Sequence, residues 1–325
     1  MPPRIGVVGL GTMGSNHASR LTNAGAMVVG TDINADARAA FADRFETQVY
    51  ADHEAMYEDG LDGVVVTVPN AFHEEFTVSA LTRDIPVLVE KPLAHTLESA
   101  ERIADAARDS DAFCTVGLVM RYYDAVTELL DRAARGEFGT VHHVEANYLR
   151  RQGAPKRGWF TDPDLAGGGA LLDVGIHVLD LAMAVLDFPA VTETFGCVRT
   201  ERDPLPVEDS ASGLVRFESG QSLALEVSWA AHCESAQSLV VRGDEGGAHL
   251  DIATQTLRVF PGDGAAAETV STETSDWLAP EDEAFLAAVE RNVPPAHGTL
   301  EEALSVQRVV EALYRTGERK TVVQS

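Results

Sequence analysis

The N-terminal segment contains a glycine-rich turn between two apolar runs, and this feature constrains the fold more than any other. Residues 5–8 are apolar, as in a buried strand, and the pattern G-x-G-x-x-G follows at once over residues 9–14. Alanine and leucine then recur at helical spacing over residues 17–24, and a second apolar run over residues 26–30 leads to Asp32. The order strand, turn, helix, strand predicts a βαβ unit at the start of a doubly wound parallel sheet.

In a unit of this kind the three glycines have separate roles. Gly9 permits the tight turn, Gly11 lets the backbone approach a pyrophosphate, and Gly14 lets the helix pack closely on the strand. The N–H groups at the helix N-terminus favour phosphate, and Asp32 stands where a ribose 2′-hydroxyl is held. The sequence therefore predicts a dinucleotide site with contacts from Gly9, Gly11, Thr12, Met13, Gly14 and Asp32.

Asp32 also bears on the choice of dinucleotide. A carboxylate accepts a hydrogen bond from the 2′-hydroxyl of NAD, whereas it repels the 2′-phosphate of NADP. We therefore expect NAD as the cofactor. The nearby Arg38 could soften that repulsion, so NADP stays open as the alternative.

The alternation of apolar strands and helices continues to residue 120 and then stops. A strand-rich region follows over residues 191–260, with turn signals between the strands, and two helices close the chain. The predicted fold class is α/β, with an N-terminal Rossmann domain over residues 1–120 and a C-terminal α/β domain over residues 121–325. We expect the second domain to contain a large, open, mainly antiparallel sheet. The last helix, about residues 300–316, can pack back on the first domain.

The charge balance excludes some classes of partner. The chain has 325 residues, of which 51 are acidic and 25 are Lys or Arg, and its formal net charge is −26. Such an acidic surface repels other polyanions, so it disfavours nucleic acid and anionic membranes as binding partners. The lysines are few: Lys91, Lys156 and Lys320. An acid-rich, lysine-poor surface stays hydrated in concentrated salt and predicts a halophilic source, with an ordinary acidic cytosolic protein as the alternative.

Cysteine usage and the N-terminus bear on location. Cys114, Cys197 and Cys233 are far apart, which argues against a disulfide framework and against a zinc knuckle. The N-terminus leads directly into the first strand without a signal peptide, and we expect no apolar run long enough to span a bilayer. These features predict a soluble, cytoplasmic protein.

A lysine follows one of the predicted buried strands. Residues 87–89 are apolar, and Glu90, Lys91 and Pro92 come directly after them. This places Lys91 at the carboxyl end of a parallel strand, where open α/β sheets bind ligands. An ammonium group there can hydrogen-bond a substrate hydroxyl and favour its ionised form. The alternative is a surface lysine that pairs with Glu90.

An acid and a histidine share one face of a predicted helix. Residues 167–169 are three glycines that would let another group approach the helix start closely, and Asp173 and His177 follow at spacing i, i+4. Histidine is the usual general base for an alcohol proton, and an aspartate one turn away can share the proton or hold the ring. The alternatives are a structural Asp–His hydrogen bond, or a metal site that adds Asp180.

These motifs, in this order, resemble those of the glucose–fructose oxidoreductase/inositol dehydrogenase (Gfo/Idh/MocA) family over nearly the whole chain. The resemblance rests on residues 9–14, 68–70 with His73, 90–93, 120–121 and 167–180. It implies that Lys91, Asp173 and His177 form a catalytic trio. It implies cofactor contacts from Pro69, Asn70, His73, Glu90 and Lys91. It also implies that Met120 and Arg121 border the nicotinamide and the substrate.

The function implied by the resemblance is hydride transfer between a nicotinamide cofactor and a secondary alcohol of a sugar, sugar derivative or inositol. His177 would take the hydroxyl proton while Lys91 steadies the developing alkoxide. The open sheet of the second domain would build a homodimer or homotetramer. The loop from Arg150 to Phe160 departs from the simplest members, so it leaves the sugar undecided and could place Arg150, Lys156 or Trp159 over it. Substrate contacts are expected from Lys91, Met120, Arg121, Tyr148, Arg150, Trp159, Asp173 and His177.

Two other interpretations of the same residues stay open. One is an enzyme that keeps NAD bound and recycles it, as a sugar oxidoreductase or an NAD-dependent glycosidase. The other is a non-catalytic sensor of dinucleotide or sugar. Net release of NADH separates the first from a simple dehydrogenase, and turnover of any kind separates both enzymes from a sensor.

Overall fold

The structure is a computed structural model that describes residues 1–155, 158–201, 205–272 and 278–317. The described chain divides into two compact units. The first unit comprises residues 1–119 and 278–304, and the second comprises the described parts of 120–272 with residues 305–317. The division therefore falls inside the last helix.

Strands and helices alternate in the first half of the chain, and strands follow one another in the second half. The strands are β1 (Arg4–Val8), β2 (Met27–Thr31), β3 (Val49–Tyr50), β4 (Gly63–Val66), β5 (Val87–Glu90), β6 (Cys114–Gly117), β7 (Val141–Leu149), β8 (Val191–Arg199), β9 (Ser210–Phe217), β10 (Ser222–Ser228), β11 (Ala236–Gly243), β12 (Gly246–Asp251), β13 (Thr256–Pro261) and β14 (Glu268–Ser271). The α-helices are α1 (Thr12–Asn23), α2 (Ala35–Phe45), α3 (His53–Glu58), α4 (His73–Leu81), α5 (Leu97–Arg108), α6 (Asp124–Ala134), α7 (Pro163–Ala166), α8 (Ile176–Val185), α9 (Ala279–Arg291) and α10 (Leu300–Gly317).

The sheet of the first unit is parallel throughout its described strands, in the order β3-β2-β1-β4-β5-β6. The order reverses between β1 and β4, and in open α/β sheets ligands bind beyond the carboxyl ends of the strands at such a reversal. Residues 64–66 of β4 are wholly buried, since helices cover both faces of the sheet. The predicted Rossmann fold is confirmed.

Side-chain caps explain where several helices of this unit begin. The Asn34 side chain accepts the Asp36 N–H at 2.9 Å at the start of α2. Thr96 accepts the Ser99 N–H at 3.1 Å at the start of α5. Each cap satisfies a backbone donor that the first helical turn leaves unpaired.

The segment that contains α9 lies in the first unit, whereas the predicted boundary assigned it to the second domain. Helix α9 packs against α1, and Phe285 is wholly buried in the same core as Ile5 and Leu21. Further on, the Gly298 carbonyl accepts the Val116 N–H at 2.9 Å. The periodicity of α9 shows that one of its faces is apolar, but it cannot show which partner covers that face.

The sheet of the second unit has the order β14-β13-β12-β11-β7-β10-β9-β8. The pair β7 and β10 is parallel, and the other described pairs are antiparallel. Helix α8 packs on β7 and β11, and α6 packs on α8. The predicted large and mainly antiparallel sheet is therefore confirmed.

One apolar stretch in the second unit differs from the expectation of no membrane-length run. Within the described residues, the stretch Pro163–Val185, which contains α7 and α8, meets the length and hydropathy of a membrane span. However, 78% of its most apolar window is buried inside the protein, as in the core helix of a soluble domain.

Candidate active site

The glycine-rich turn lies between β1 and α1. Gly9 has a φ of +90°, which favours glycine, and its N–H bonds to the Thr31 carbonyl at 2.9 Å. A Cβ on Gly14 would lie 2.0 Å from the Gly9 carbonyl oxygen, so the helix could not approach the turn with a larger residue there. A Cβ on Gly11 would meet no atom within 4 Å. The backbone at Gly11 is therefore open to a ligand, and the turn fits a dinucleotide phosphate.

Asp32 is held directly against this turn. Its Oδ2 accepts the Leu10 N–H at 2.7 Å, and its Oδ1 accepts the Asn34 N–H at 2.8 Å. The Arg38 guanidinium donates to the Asp32 backbone carbonyl at 2.6 Å. These contacts fix the half-buried carboxylate at the end of β2 while leaving lone pairs for a further donor. Thr12 and Met13, exposed and half-buried respectively, begin α1 at the same edge of the sheet.

His73 differs from its predicted role as a cofactor contact. The side chain is 1% exposed, and its Nδ1 and Nε2 lie 2.8 Å and 2.9 Å from the carbonyl oxygens of Pro92 and Val68. Burial lowers the pKa of His73 although both carbonyls favour the protonated ring. His73 therefore links the segments that follow β4 and β5, and it does not offer an open ring to a ligand. Asn70, in the same segment, is 7% exposed, and Pro69 is half-buried.

Lys91 stands where the sequence predicts, directly after β5 at the carboxyl edge of the parallel sheet. Its side chain is half-buried. The preceding Glu90 accepts the Lys91 N–H at 3.1 Å through Oε2, and its Oε1 lies 3.1 Å from Nε2 of His17. Glu90 thus holds the peptide that carries Lys91 and is turned into the protein rather than toward a ligand.

The second unit contains a helical stretch with one open face. Leu171–Gly175 form a π-helical turn that continues into α8. Over residues 171–180, Asp173 and His177 are half-buried and all other residues are buried. The i, i+4 spacing therefore places an acid and a base together on the accessible face. Wide turns of this kind are frequent at functional sites.

Two aromatic side chains lie beside this pair. Trp229, wholly buried, donates its Nε1–H to Oδ2 of Asp173 at 3.0 Å. The Tyr148 ring, on β7, lies 6.5 Å from the His177 ring between centroids. Tyr148 is among the residues that the sequence predicts for the site. Trp229 is not, because it is 56 residues from Asp173 and nothing local signals the contact.

Two of the three glycines before this turn, Gly168 and Gly169, make room for the protein itself. Glu208 accepts the N–H of Gly169 at 2.8 Å and that of Leu171 at 3.0 Å, and it accepts the Tyr314 hydroxyl at 2.7 Å. A Cβ on Gly169 would lie 1.8 Å from the Glu208 carbonyl oxygen, and one on Gly168 would lie 2.3 Å from the Tyr314 hydroxyl. Burial raises the pKa of Glu208 although these donors oppose the shift.

Arg121 also differs from its predicted contact with substrate. It is 2% exposed, and its Nε and Nη2 donate to the two carboxylate oxygens of Asp180 at 2.6 Å and 2.7 Å. Its neighbour Met120 is 6% exposed. This buried bidentate pair ties the segment before α6 to α8. It also engages the carboxylate that the alternative metal site required, and no group able to hold a metal occurs among the described residues.

The loop after β7 is described in part. The Arg150 guanidinium donates to Oε1 of Gln152 at 3.1 Å, and the half-buried ring of Trp159 stacks on Phe160 with 3.9 Å between centroids. Lys156 lies outside the described residues. Arg150 and Trp159 therefore remain predicted substrate contacts.

Comparison with known protein families assigns both halves of the chain. The family description "Oxidoreductase family, NAD-binding Rossmann fold" matches residues 3–118, and "GFO/IDH/MocA C-terminal domain" matches residues 126–249. The two matches together span most of the chain, so they establish the family.

Individual relatives agree with this assignment. The chain is 31% identical to D-glucoside 3-dehydrogenase of Escherichia coli, over 99% of this chain and 97% of the relative. It is 27% identical to D-xylose 1-dehydrogenase (NADP(+)) 2 of Haloferax volcanii, over 98% of each. Among solved structures, GenD2 from gentamicin A biosynthesis, in complex with NAD, has a TM-score of 0.84 at 29% identity, over 97% of this chain and 94% of that one.

Proposed function

Because the chain belongs to the GFO/IDH/MocA family, we propose that it is an NAD(P)-dependent dehydrogenase acting on a secondary alcohol of a sugar, sugar derivative or inositol. The observation that carries the proposal is the pair Asp173 and His177, open on an otherwise buried helical stretch. In a chain that also contains a dinucleotide fold, such a pair fits removal of a proton from an alcohol.

The proposed roles follow from the chemistry of each side chain. Bound NAD supplies the hydride acceptor, and the open backbone at Gly11 and the carboxylate of Asp32 fit its pyrophosphate and ribose. As the substrate C–H bond breaks, His177 takes the proton of the hydroxyl group. Asp173, held by the Trp229 N–H, favours the protonated imidazole one helical turn away. Lys91 donates to the substrate oxygen and stabilises its developing negative charge.

Asp32 supports NAD as the preferred cofactor. Its carboxylate is fixed by two backbone N–H groups and would face a 2′-phosphate with like charge. Arg38, which could have offset that repulsion, already donates to the Asp32 carbonyl. The name of the Haloferax relative specifies NADP, so cofactor preference is a property to be measured on this chain.

The test is a screen of sugars, polyols and nucleotide-sugars, following NADH absorbance in molar KCl. With a substrate found, Lys91→Met and His177→Ala should each lower kcat by about 100-fold or more, as expected when acid–base help is lost. His142→Ala, at an exposed position of β7 in the second unit, is the matched control and should retain activity. Unchanged turnover in both site variants would refute the assignment of Lys91 and His177 to the active site. Accumulation of free NADH separates a dehydrogenase from an enzyme that recycles a retained cofactor.

We also propose that the protein works in concentrated salt inside the cytoplasm. The net charge of −26 and the three lysines in 325 residues suit a surface hydrated by carboxylates. A relative of similar length comes from Haloferax volcanii. The cysteines at 114, 197 and 233 are free thiols, as in a reducing compartment. Fractionation of the source cells, with the activity assayed in each fraction, tests the location.

We further propose that a second copy of the chain covers the outer face of the second sheet. Thr194 and Gly196 of β8 bond to residues of α10, so α10 covers that face of the strand. Phe195 points to the opposite face, where it is 67% exposed beside Leu214 of β9, which is 45% exposed. Light scattering should give a dimer or tetramer, and Phe195→Glu should reduce it to monomer. A monomeric wild type would refute the proposal.

A further inference from the structure

A chain of three linked side chains, two of them wholly buried, runs through the first unit. Nδ1 of His17 lies 2.6 Å from Oδ1 of Asp282, and Nε2 lies 3.1 Å from Oε1 of Glu90. The side chains of His17 and Asp282 are wholly buried, and that of Glu90 is 13% exposed. A neutral imidazole donates through one nitrogen, whereas an imidazolium donates through both. Two carboxylates facing the two nitrogens therefore indicate a protonated ring.

The electrostatics of the chain agree with this geometry. Burial lowers the pKa of His17, but the hydrogen bonds and charges of Asp282 and Glu90 outweigh it and raise the pKa to about 10. Burial raises the pKa of Glu90, but the hydrogen bond and charge of His17 outweigh it and lower the pKa. His17 is therefore cationic at neutral pH, and it keeps a buried carboxylate ionised at Glu90.

Glu90 passes this constraint to Lys91. Its second carboxylate oxygen accepts the Lys91 N–H at 3.1 Å. On the other side lies Gly117 of β6, where a Cβ would come within 3.3 Å of that same oxygen, so a larger residue at this position would crowd the carboxylate. The path thus begins at Asp282 of α9, passes through His17 of α1, and ends at the peptide of Lys91. Helix α1 itself begins at the glycine-rich turn.

We propose that His17 is a positioning residue for Lys91. Its hydrogen bond holds Glu90 in place and ionised, and Glu90 in turn holds the Lys91 peptide. Through these two bonds, the helix that begins at the glycine-rich turn is linked to the lysine that acts on the substrate oxygen. The inference rests on the proposed role of Lys91. His17 itself does not touch substrate, and its contribution should appear in kcat more than in the affinity for NAD.

The decisive experiment is a cycle of variants in the full-length enzyme: His17→Gln, Lys91→Met and the double variant. His17→Gln should lower kcat about tenfold or more and change the dissociation constant of NAD, measured by fluorescence titration, by less than about threefold. If His17 acts through Lys91, adding His17→Gln to Lys91→Met should lower kcat no further. His53→Gln, the same change at a half-buried histidine of α3, is the control and should retain full kcat.

Three results would overturn the proposal: an additive double variant, a loss of NAD affinity equal to the loss of kcat, or full activity of His17→Gln. If His17→Gln does not fold, Asp282→Asn removes the charge at the far end of the path and should give the same non-additive loss with Lys91→Met. The proposed function fails separately, through a Lys91→Met variant that keeps wild-type turnover.

Discussion

Glu281 of α9 is a buried acid whose charge should set the pH dependence of folding. It is 2% exposed, and neither of its carboxyl oxygens has a hydrogen-bond partner among the described residues. Burial raises the pKa of Glu281 well above its ordinary value of 4.5, and the charges of Glu90 and Asp282 act in the same direction. His17 and Arg20 of α1 oppose the shift without cancelling it. The folded protein therefore holds Glu281 neutral at a pH where the unfolded chain ionises it.

The consequence for stability has a definite sign. Below pH 4.5 both states bind the proton, and Glu281 carries no penalty. Above pH 4.5 the unfolded chain releases the proton and the folded chain keeps it, so the free energy of unfolding falls by about 1.4 kcal/mol per pH unit until the folded-state pKa is reached. Glu281→Gln, which is neutral in both states, removes this slope. Its advantage over wild type should therefore grow by up to about 1.4 kcal/mol for each pH unit above 4.5, as far as the folded-state pKa.

Calorimetric melting at several pH values in molar KCl measures this difference. For a unit of this size the melting temperature of Glu281→Gln should gain about 3–6 °C on wild type for each such pH unit. Glu283→Gln, an exposed position two residues along the same helix, should run parallel to wild type. Parallel curves for wild type and Glu281→Gln would show that Glu281 is ionised in the folded protein, and the reasoning from its burial would be wrong.

Three further outcomes are expected. Trp229→Phe keeps a buried aromatic ring but removes the N–H donated to Asp173 and leaves a small cavity, so kcat/KM of the folded variant should fall about 10–100-fold and the melting temperature should also fall; unchanged kcat/KM would remove Trp229 from the site. Asp32→Ser should raise the ratio of kcat/KM with NADP to that with NAD by about tenfold or more; an unchanged ratio would show that Asp32 does not face the 2′ position. The melting temperature should rise between 0.1 M and about 3 M KCl, because screening relieves repulsion among the acids; a flat series would count against adaptation to salt.

The parts of the fold and site that follow from the sequence are local. The strand, glycine turn, helix and Asp32 occupy one short segment, so their spacing alone predicts the βαβ unit. The pair Asp173 and His177 is one helical turn apart, so helical periodicity alone places both on one face. In each case the residues that matter lie within one short stretch of the sequence.

The parts that do not follow depend on contacts between distant residues. Trp229 is 56 positions from Asp173, Glu208 is 39 from Gly169, and Asp282 is 265 from His17. No local pattern distinguishes these side chains from ordinary buried ones. For the same reason the predicted boundary puts α9 in the other half of the chain, since its packing on α1 is visible only in the fold.

Motif membership also does not determine what a side chain touches. Arg121 and His73 belong to the segments that carry the family resemblance, yet both are buried and bonded within their own unit. Gly168 and Gly169 before Asp173 show the same principle. They permit a close approach, as predicted, but the approaching groups are Tyr314 and Glu208 of the protein itself.

The distribution of charge separates two kinds of ion pair with different responses to salt. Pairs at the surface, such as Arg216 with the exposed Glu193, are screened in molar salt, where the Debye length is about 3 Å. The pairs Arg121–Asp180 and His17–Asp282 are shielded from water and ions, so they are screened much less. Concentrated salt therefore relieves the repulsion of a surface with net charge −26 while the pairs that position the site keep their strength. An acidic protein of this kind can gain stability from salt without losing the electrostatics on which its chemistry depends.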